Sequence, residues 1–355
     1  MKPMRNYALI LLLAGALLNG CGPEEGKMPD GKPTGVSVGK KVGVSLSSRN
    51  HNFFLGMEQG LVDELKRQGL EPIVEVAEDS ASAQQQQVDT FIRKGVSAIV
   101  MVPVDAQQAI TPVEAANKAN IPVFCIDRRV TAPNAKVTVT VETDNVKMGE
   151  AAAREALRLL AKRANLDPTR PEDLKKLKAK IIHLWGIKEA SSAQDRAKGI
   201  QSVINATNTP GITVIERYGN FNAKKAQEEV APTLKANPDI DLILCHNDDN
   251  AMGALNAILD IKKSREAEDD PKRIFIVGMD GNKPAIAAIR KGDMEATISQ
   301  EPIAMGTTTA RTLKKLLEGE QPPKDYIPIA HMLITKVEAN AMKGKLWSDK
   351  LRENK

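Results

Sequence analysis

Ile240-Asp-Leu-Ile-Leu-Cys-His-Asn-Asp-Asp-Asn-Ala-Met-Gly-Ala-Leu255 runs from an apolar, β-branched stretch through a knot of polar residues into a segment of helical period. The order is strand, loop, helix, with the polar knot at the strand's carboxyl end. The same order recurs outward in both directions. Strands are expected at 42–46, 73–76, 98–101, 123–126, 137–141, 181–184, 212–216, 242–244, 274–277 and 296–298, with amphipathic segments at 55–68, 82–94, 105–119, 146–161 and 223–236. Strands apolar on both faces and separated by helices imply parallel sheets covered on both sides, an α/β doubly wound architecture. No repeat of roughly 20–50 residues is visible, which excludes solenoids and propellers. Two charged insertions, 162–180 and 262–273, read as solvated loops or short surface helices.

Composition narrows the class. The chain has 355 residues, 42% of them hydrophobic and 27% charged, so it is not a disordered chain. Three cysteines cannot staple a small disulfide scaffold. A net charge of +5, with both signs interleaved, is not the basic stripe of a nucleic-acid binder. The length suggests two domains. Aromatics are scarce, with six Phe, three Tyr and two Trp, yet Phe53 and Phe54 stand side by side in a polar segment.

At the N-terminus Lys2 and Arg5 precede an apolar run over 7–18, followed by Leu18-Asn-Gly-Cys21. This is the three-part form of a secretory signal, too short for a membrane span of about 20 residues. The small residues before Cys21 resemble a bacterial lipobox, which makes Cys21 the expected lipidation site. The signal would cover 1–20, and residues 21–40 read as a flexible tether. Cys125 and Cys245 each end an apolar run and are expected as buried thiols; a disulfide between them is the alternative.

In doubly wound sheets ligands bind beyond the carboxyl ends of the strands. The polar groups there are Ser47 to Asn52, Asp127-Arg-Arg129, Asn247-Asp-Asp249, Asp280-Gly281 and Gln300. One such group would be read as a turn or a cap, but five in register point to a binding site. Catalytic and metal templates are missing: there is no phosphate loop, nucleophile elbow, zinc-protease motif or paired CxxC, and the four histidines lack ligand spacing. Of the adjacent carboxylates Asp248 and Asp249, one is expected to cap the helix starting near Asn250.

With these residues in place the chain resembles the periplasmic sugar-binding proteins of ABC importers, closest to the ribose-binding group. The resemblance rests on Ser47-Ser-Arg-Asn-His-Asn-Phe-Phe54, Ala119-Asn-Ile-Pro-Val-Phe-Cys-Ile-Asp-Arg128, Thr143-Asp-Asn145, Ser192-Ala-Gln-Asp-Arg196, Asn220-Phe-Asn222, His246-Asn-Asp-Asp-Asn-Ala-Met-Gly-Ala-Leu255, Val277-Gly-Met-Asp-Gly281 and Ala296-Thr-Ile-Ser-Gln300, in that order. It implies two doubly wound lobes, 41–143 plus 301–329 and 144–300 plus 330–346, with a tail at 347–355. Three crossovers, near Thr143, Gln300 and Ala330, would form the hinge. It further implies a monomer that captures a monosaccharide, a ribose-like pentose or related sugar, between the lobes and delivers it to an ABC permease. No reaction, cofactor, metal or nucleic acid is implied. Membrane attachment would run through the lipid on Cys21.

The implied ligand-binding residues are Ser47, Asn50, His51, Phe53, Phe54, Asp127, Arg128, Arg196, Phe221, Asn247, Asp280 and Gln300. Their chemistry suits a sugar. Carboxylates accept hydroxyl protons, guanidinium groups donate to hydroxyl and ring oxygens, amides do both, and Phe rings cover weakly polar C–H faces. Two positions depart from the ribose binders: His51 stands where a second Asn is usual, and Met279 where an aromatic wall is usual. A sensory module presenting the same cleft to a membrane kinase or chemoreceptor is the alternative. A regulator is disfavoured because the signal and tether occupy the place of a DNA-binding segment.

Overall fold

The computed structural model describes residues 41–130, 132–264 and 273–352. The expected signal, Cys21 and the tether fall outside them, as does most of the second charged insertion.

The first half of the chain alternates regularly: β1 (Lys41–Leu46), α1 (Asn52–Arg67), β2 (Glu71–Val76), α2 (Ala81–Arg93), β3 (Ala98–Met101), α3 (Ile110–Lys118), β4 (Val123–Ile126) and β5 (Val139–Thr143). Next come α4 (Asn145–Arg163), a single turn α5 (Pro171–Leu174), β6 (Ala179–Trp185), α6 (Ser191–Thr207), β7 (Ile212–Tyr218), α7 (Ala223–Ala236), β8 (Leu242–Cys245), α8 (Asp248–Ser264), β9 (Phe275–Asp280), α9 (Lys283–Lys291) and β10 (Ala296–Ser299). The remainder is α10 (Pro302–Leu317), β11 (Tyr326–Ile329), β12 (Met332–Thr335), α11 (Lys336–Ala341) and a 3-10 turn, Trp347–Asp349. All ten expected strands form. The last two strands escape the pattern because Pro328 interrupts a short run with no helix inside it.

Polar caps set several helix starts. Ser80, Asp144, Asn222 and Asn282 each accept the backbone N–H three residues on, satisfying a donor the helix leaves free.

The strands form two six-stranded sheets, ordered β11-β5-β4-β3-β1-β2 and β12-β10-β9-β8-β6-β7. All pairings are parallel except β10 with β12. The chain passes between the sheets after β5, between β10 and α10, and between β11 and β12. Each sheet is buried on both faces with period two. On β3 and β4, Ala98, Val100, Phe124 and Ile126 face one core cluster, while Ile99, Met101, Val123 and Cys125 face another. The second sheet divides in the same way, with Ile182, Leu184 and Ile243 on one face and Ile181, Leu242 and Leu244 on the other.

In each lobe helices cross at backbone contact. A Cβ on Gly60 would lie 2.2 Å from the Ile303 carbonyl oxygen, and one on Gly149 would lie 2.2 Å from that of Arg196. The first crossing joins α1 to α10 and the second joins α4 to α6.

Two expectations are corrected here. Cys125 and Cys245 are free, buried thiols on different sheets, so the alternative of a disulfide fails. Burial pushes the Cys125 thiol up to about 12. Met279 is not a pocket wall: it is fully buried on β9 and packs in the core beside α4, because the strand's alternation turns it away from the cleft.

Candidate ligand-binding site

The first lobe supplies its polar groups where its strands end. After β1 the chain turns through Ser47 to Asn50 and enters α1, which places His51, Phe53 and Phe54 on one cavity wall. Asp127 and Arg128 follow β4, and Asp79 follows β2. Asp127 and Arg128 are almost fully buried. One Arg128 Nη donates to the Pro103 carbonyl at 3.2 Å, while its Nε finds no hydrogen-bond partner and lies 3.6 Å from Asp127 Oδ2. Burial raises the Asp127 pKa despite the cations of Arg128 and Arg196. It lowers that of Arg128 despite Asp127.

The second lobe answers with a more connected set. Arg196, on α6, donates through Nε to Asn145 Oδ1 at 2.9 Å and through Nη1 to the His246 carbonyl. Its other Nη lies 3.6 Å from Asp280 Oδ1. Gln300 Nε2 donates to the same carboxylate at 2.7 Å, leaving Gln300 Oε1 unpartnered. Burial pushes Asp280 up to about 7 against the pull of Arg196 and Gln300. Beneath it Asp248 accepts the N–H groups of Gly281 and Asn282, each at 2.8 Å, and the Thr297 hydroxyl at 2.7 Å. Asp248 therefore fixes the loop that carries Asp280. Asn247 Oδ1, not Asp248 or Asp249, takes the Asn250 N–H at the start of α8, which corrects the expected cap.

The two walls line one cavity between the lobes. The lobes meet across it. The Arg128 guanidinium lies 5.7 Å from the centroid of Phe54 and 5.8 Å from that of Phe221, one ring from each lobe. His51 Nδ1 lies 3.2 Å from Asp249 Oδ2, and the His51 pKa is raised: burial opposes the rise, and Asp249 outweighs it. Outside the cavity the Arg129 N–H donates to Ser191 Oγ at 2.8 Å, and its guanidinium joins Glu142 of its own lobe to Asp195 of the other. Asp79, Asp127, Phe221 and Asp280 all line the cavity at positive φ. Such strain, concentrated in one place, points to function.

Ten of the twelve residues singled out in the sequence line this cavity: His51, Phe53, Phe54, Asp127, Arg128, Arg196, Phe221, Asn247, Asp280 and Gln300. Ser47 and Asn50 do not. Ser47 is fully buried with an unpartnered hydroxyl, and Asn50 is exposed in the turn that leads to α1. The structure adds Asp79, Ile187 and Ser192. Asp79 was findable, since it sits at the end of a strand like the others; Ser192 opens the motif that carries Arg196 and gave no separate signal. Among the described residues no group of three or more His, Cys, Asp or Glu could hold a metal. The arrangement sets hydrogen-bond donors and acceptors beside aromatic faces, a chemistry that suits a polar molecule.

The profile of the periplasmic binding protein domain matches residues 42–321. The ribose import binding protein RbsB of Bacillus subtilis (strain 168) is 30% identical over 317 residues, 89% of this chain and 94% of that one. Its counterpart from Escherichia coli (strain K12), also a ribose import binding protein, is 27% identical over 295 residues, 83% and 90% of the two chains. A crystal structure of an ABC transporter solute binding protein from Mycobacterium smegmatis, with bound glycerol, aligns with a TM-score of 0.73. It is 27% identical and covers 86% of this chain and 98% of that one. These relatives are binding proteins and not enzymes, and the same holds here. With its two doubly wound lobes and the cavity between them, the chain belongs to the periplasmic binding protein family and works outside the cytoplasm.

Proposed function

We propose that this protein captures a monosaccharide, a ribose-like pentose or a related sugar, between its lobes and delivers it to an ABC permease. One observation carries the reading. Arg128 Nε and Gln300 Oε1 are buried at the cavity without hydrogen-bond partners, beside two carboxylates whose pKa burial raises and between Phe rings from both lobes. Unpartnered buried polar atoms are costly, and a ring of hydroxyls, each both donor and acceptor, would satisfy them. Phe53, Phe54 and Phe221 would cover the apolar faces of such a ring. Closure would present a surface that a permease distinguishes from the open form. The ribose import relatives and the solute-binding relative support transport as the role.

In this reading Cys21 carries a lipid, residues 21–40 tether the body to the membrane, and the protein acts as a monomer. A thermal-shift screen of pentoses, hexoses and polyols, followed by calorimetry, tests the function. One sugar should raise the melting temperature and bind once per chain. No shift with any of them would refute sugar binding.

A further inference from the structure

The segment following α11 begins in one lobe and ends on the other. Leu346 is fully buried in the second lobe's core. Trp347, 1% exposed, lies between the lobes, where its indole N–H donates to the Asp280 carbonyl at 2.9 Å. Its ring meets Phe53 edge-on, with centroids 6.5 Å apart and planes at 88°. A Cβ on Gly56 would come within 3.3 Å of the indole, so α1 packs directly against that ring. The Asp349 carboxylate accepts the Gly344 N–H at 2.8 Å and so closes the turn that presents Trp347. Beyond it, Gln59 of α1 donates to the Lys350 carbonyl at 3.3 Å and accepts the Arg352 N–H at 3.0 Å; the Arg352 guanidinium reaches Asp63 at 2.9 Å.

Phe53 and Asp280 are cavity walls from opposite lobes, and Trp347 touches the back of both. Any rotation of one lobe against the other moves Phe53 relative to Asp280, so this contact weighs on the balance between open and closed forms. None of the segment lies within 42–321, where the family profile matches.

We infer that Trp347 is a positioning residue for ligand binding: with the strap that ends at Arg352 it holds the two cavity walls together and favours the closed form. The inference rests on the reading that the cavity closes on a ligand. Apparent affinity scales with the fraction of protein in the binding-competent form, so loosening the strap weakens binding without touching a ligand-contacting side chain.

The test uses the full chain carrying Cys21→Ser, with spin labels on Gln86→Cys in one lobe and Lys224→Cys in the other; both sites are exposed, and Cys125 and Cys245 are buried. Pulsed electron resonance of the ligand-free protein should show longer inter-lobe distances in Trp347→Ala than in the parent, with Trp347→Phe between them. For the best-binding sugar among D-ribose, D-allose and myo-inositol, Trp347→Ala should raise Kd on the order of tenfold. Unchanged distances together with an unchanged Kd would overturn the inference. If Trp347→Ala does not fold, the paired exposed-side change Gln59→Ala with Asp63→Ala decides: a shift to longer distances supports the strap, and none refutes it. If no sugar binds the parent, the sugar reading fails, while the ligand-free distances still decide the strap.

Discussion

The two lobes share one strand order, β2-β1-β3-β4-β5 in the first and β7-β6-β8-β9-β10 in the second, yet they prepare their halves of the cavity differently. In the second lobe Arg196, Asp280 and Gln300 are tied to one another and to Asn145 and His246, with Asp248 bracing the loop below. In the first, Arg128 reaches the Pro103 carbonyl and otherwise stands 3.6 Å from Asp127, with one donor unmet. Topology thus decides where polar side chains gather, and the hydrogen bonds beneath them decide which half is already set. The second lobe's half is the more cross-linked, while each half keeps one unpartnered polar atom at the cavity, Arg128 Nε and Gln300 Oε1.

The largest expected effect comes from breaking the more cross-linked half. Arg196→Ala should weaken sugar binding about a hundredfold, since hydrogen bonds to charged groups contribute about 1.5–3 kcal/mol each. It should also lower the melting temperature of the empty protein, because Asn145 Oδ1 and the His246 carbonyl lose their donor. An unchanged melting temperature would remove the distinction between the lobes. On the other wall, Asp127→Asn should cost about tenfold or more in affinity while lowering the melting temperature of the empty protein less than Arg196→Ala does, because it takes no hydrogen bond from Arg128. Calorimetry and thermal melts of both variants measure the contrast directly.

A smaller effect concerns pH. Burial pushes Asp280 up to about 7, so the folded, empty protein holds a proton that the unfolded chain gives up above about pH 4. The stability this contributes is full below that pH and is lost as pH rises through about 7. Glu142, pushed up to about 8 by burial despite Arg129, acts in the same direction. The melting temperature of the empty protein should therefore fall between about pH 5 and about pH 8, and Asp280→Asn should flatten that slope. An equal slope in the variant would remove Asp280 from the account. The smallest effect is at Met279: Met279→Leu should leave sugar affinity unchanged and shift stability by less than about 1.5 kcal/mol, as a volume-conserving core exchange does. A change in affinity there would mean that β9 presents Met279 to the cavity after all.

Much of this was legible in the chain. Hydrophobic runs of period two and helices of period 3.6 announced two covered parallel sheets, and the strand-end rule found most of the cavity. Ser47 and Asn50 stand off the cavity lining, and their loop shares the composition of its neighbours: only packing tells that one is fully buried and the other exposed. Met279 misled because its neighbour Asp280 faces the cleft and a one-residue step reverses the face. The bracing by Asp248 and the bridge from Arg129 to Asp195 link residues far apart in sequence, and no spacing encodes them.

The four cavity residues held at positive φ set this protein's fitness against its durability. Glycine at position 79, 127, 221 or 280 would relax the backbone, and at three of these it would also delete a carboxylate. A population of variants selected for heat resistance alone should collect changes at the cavity, and the survivors would be sturdier bodies with nothing to carry.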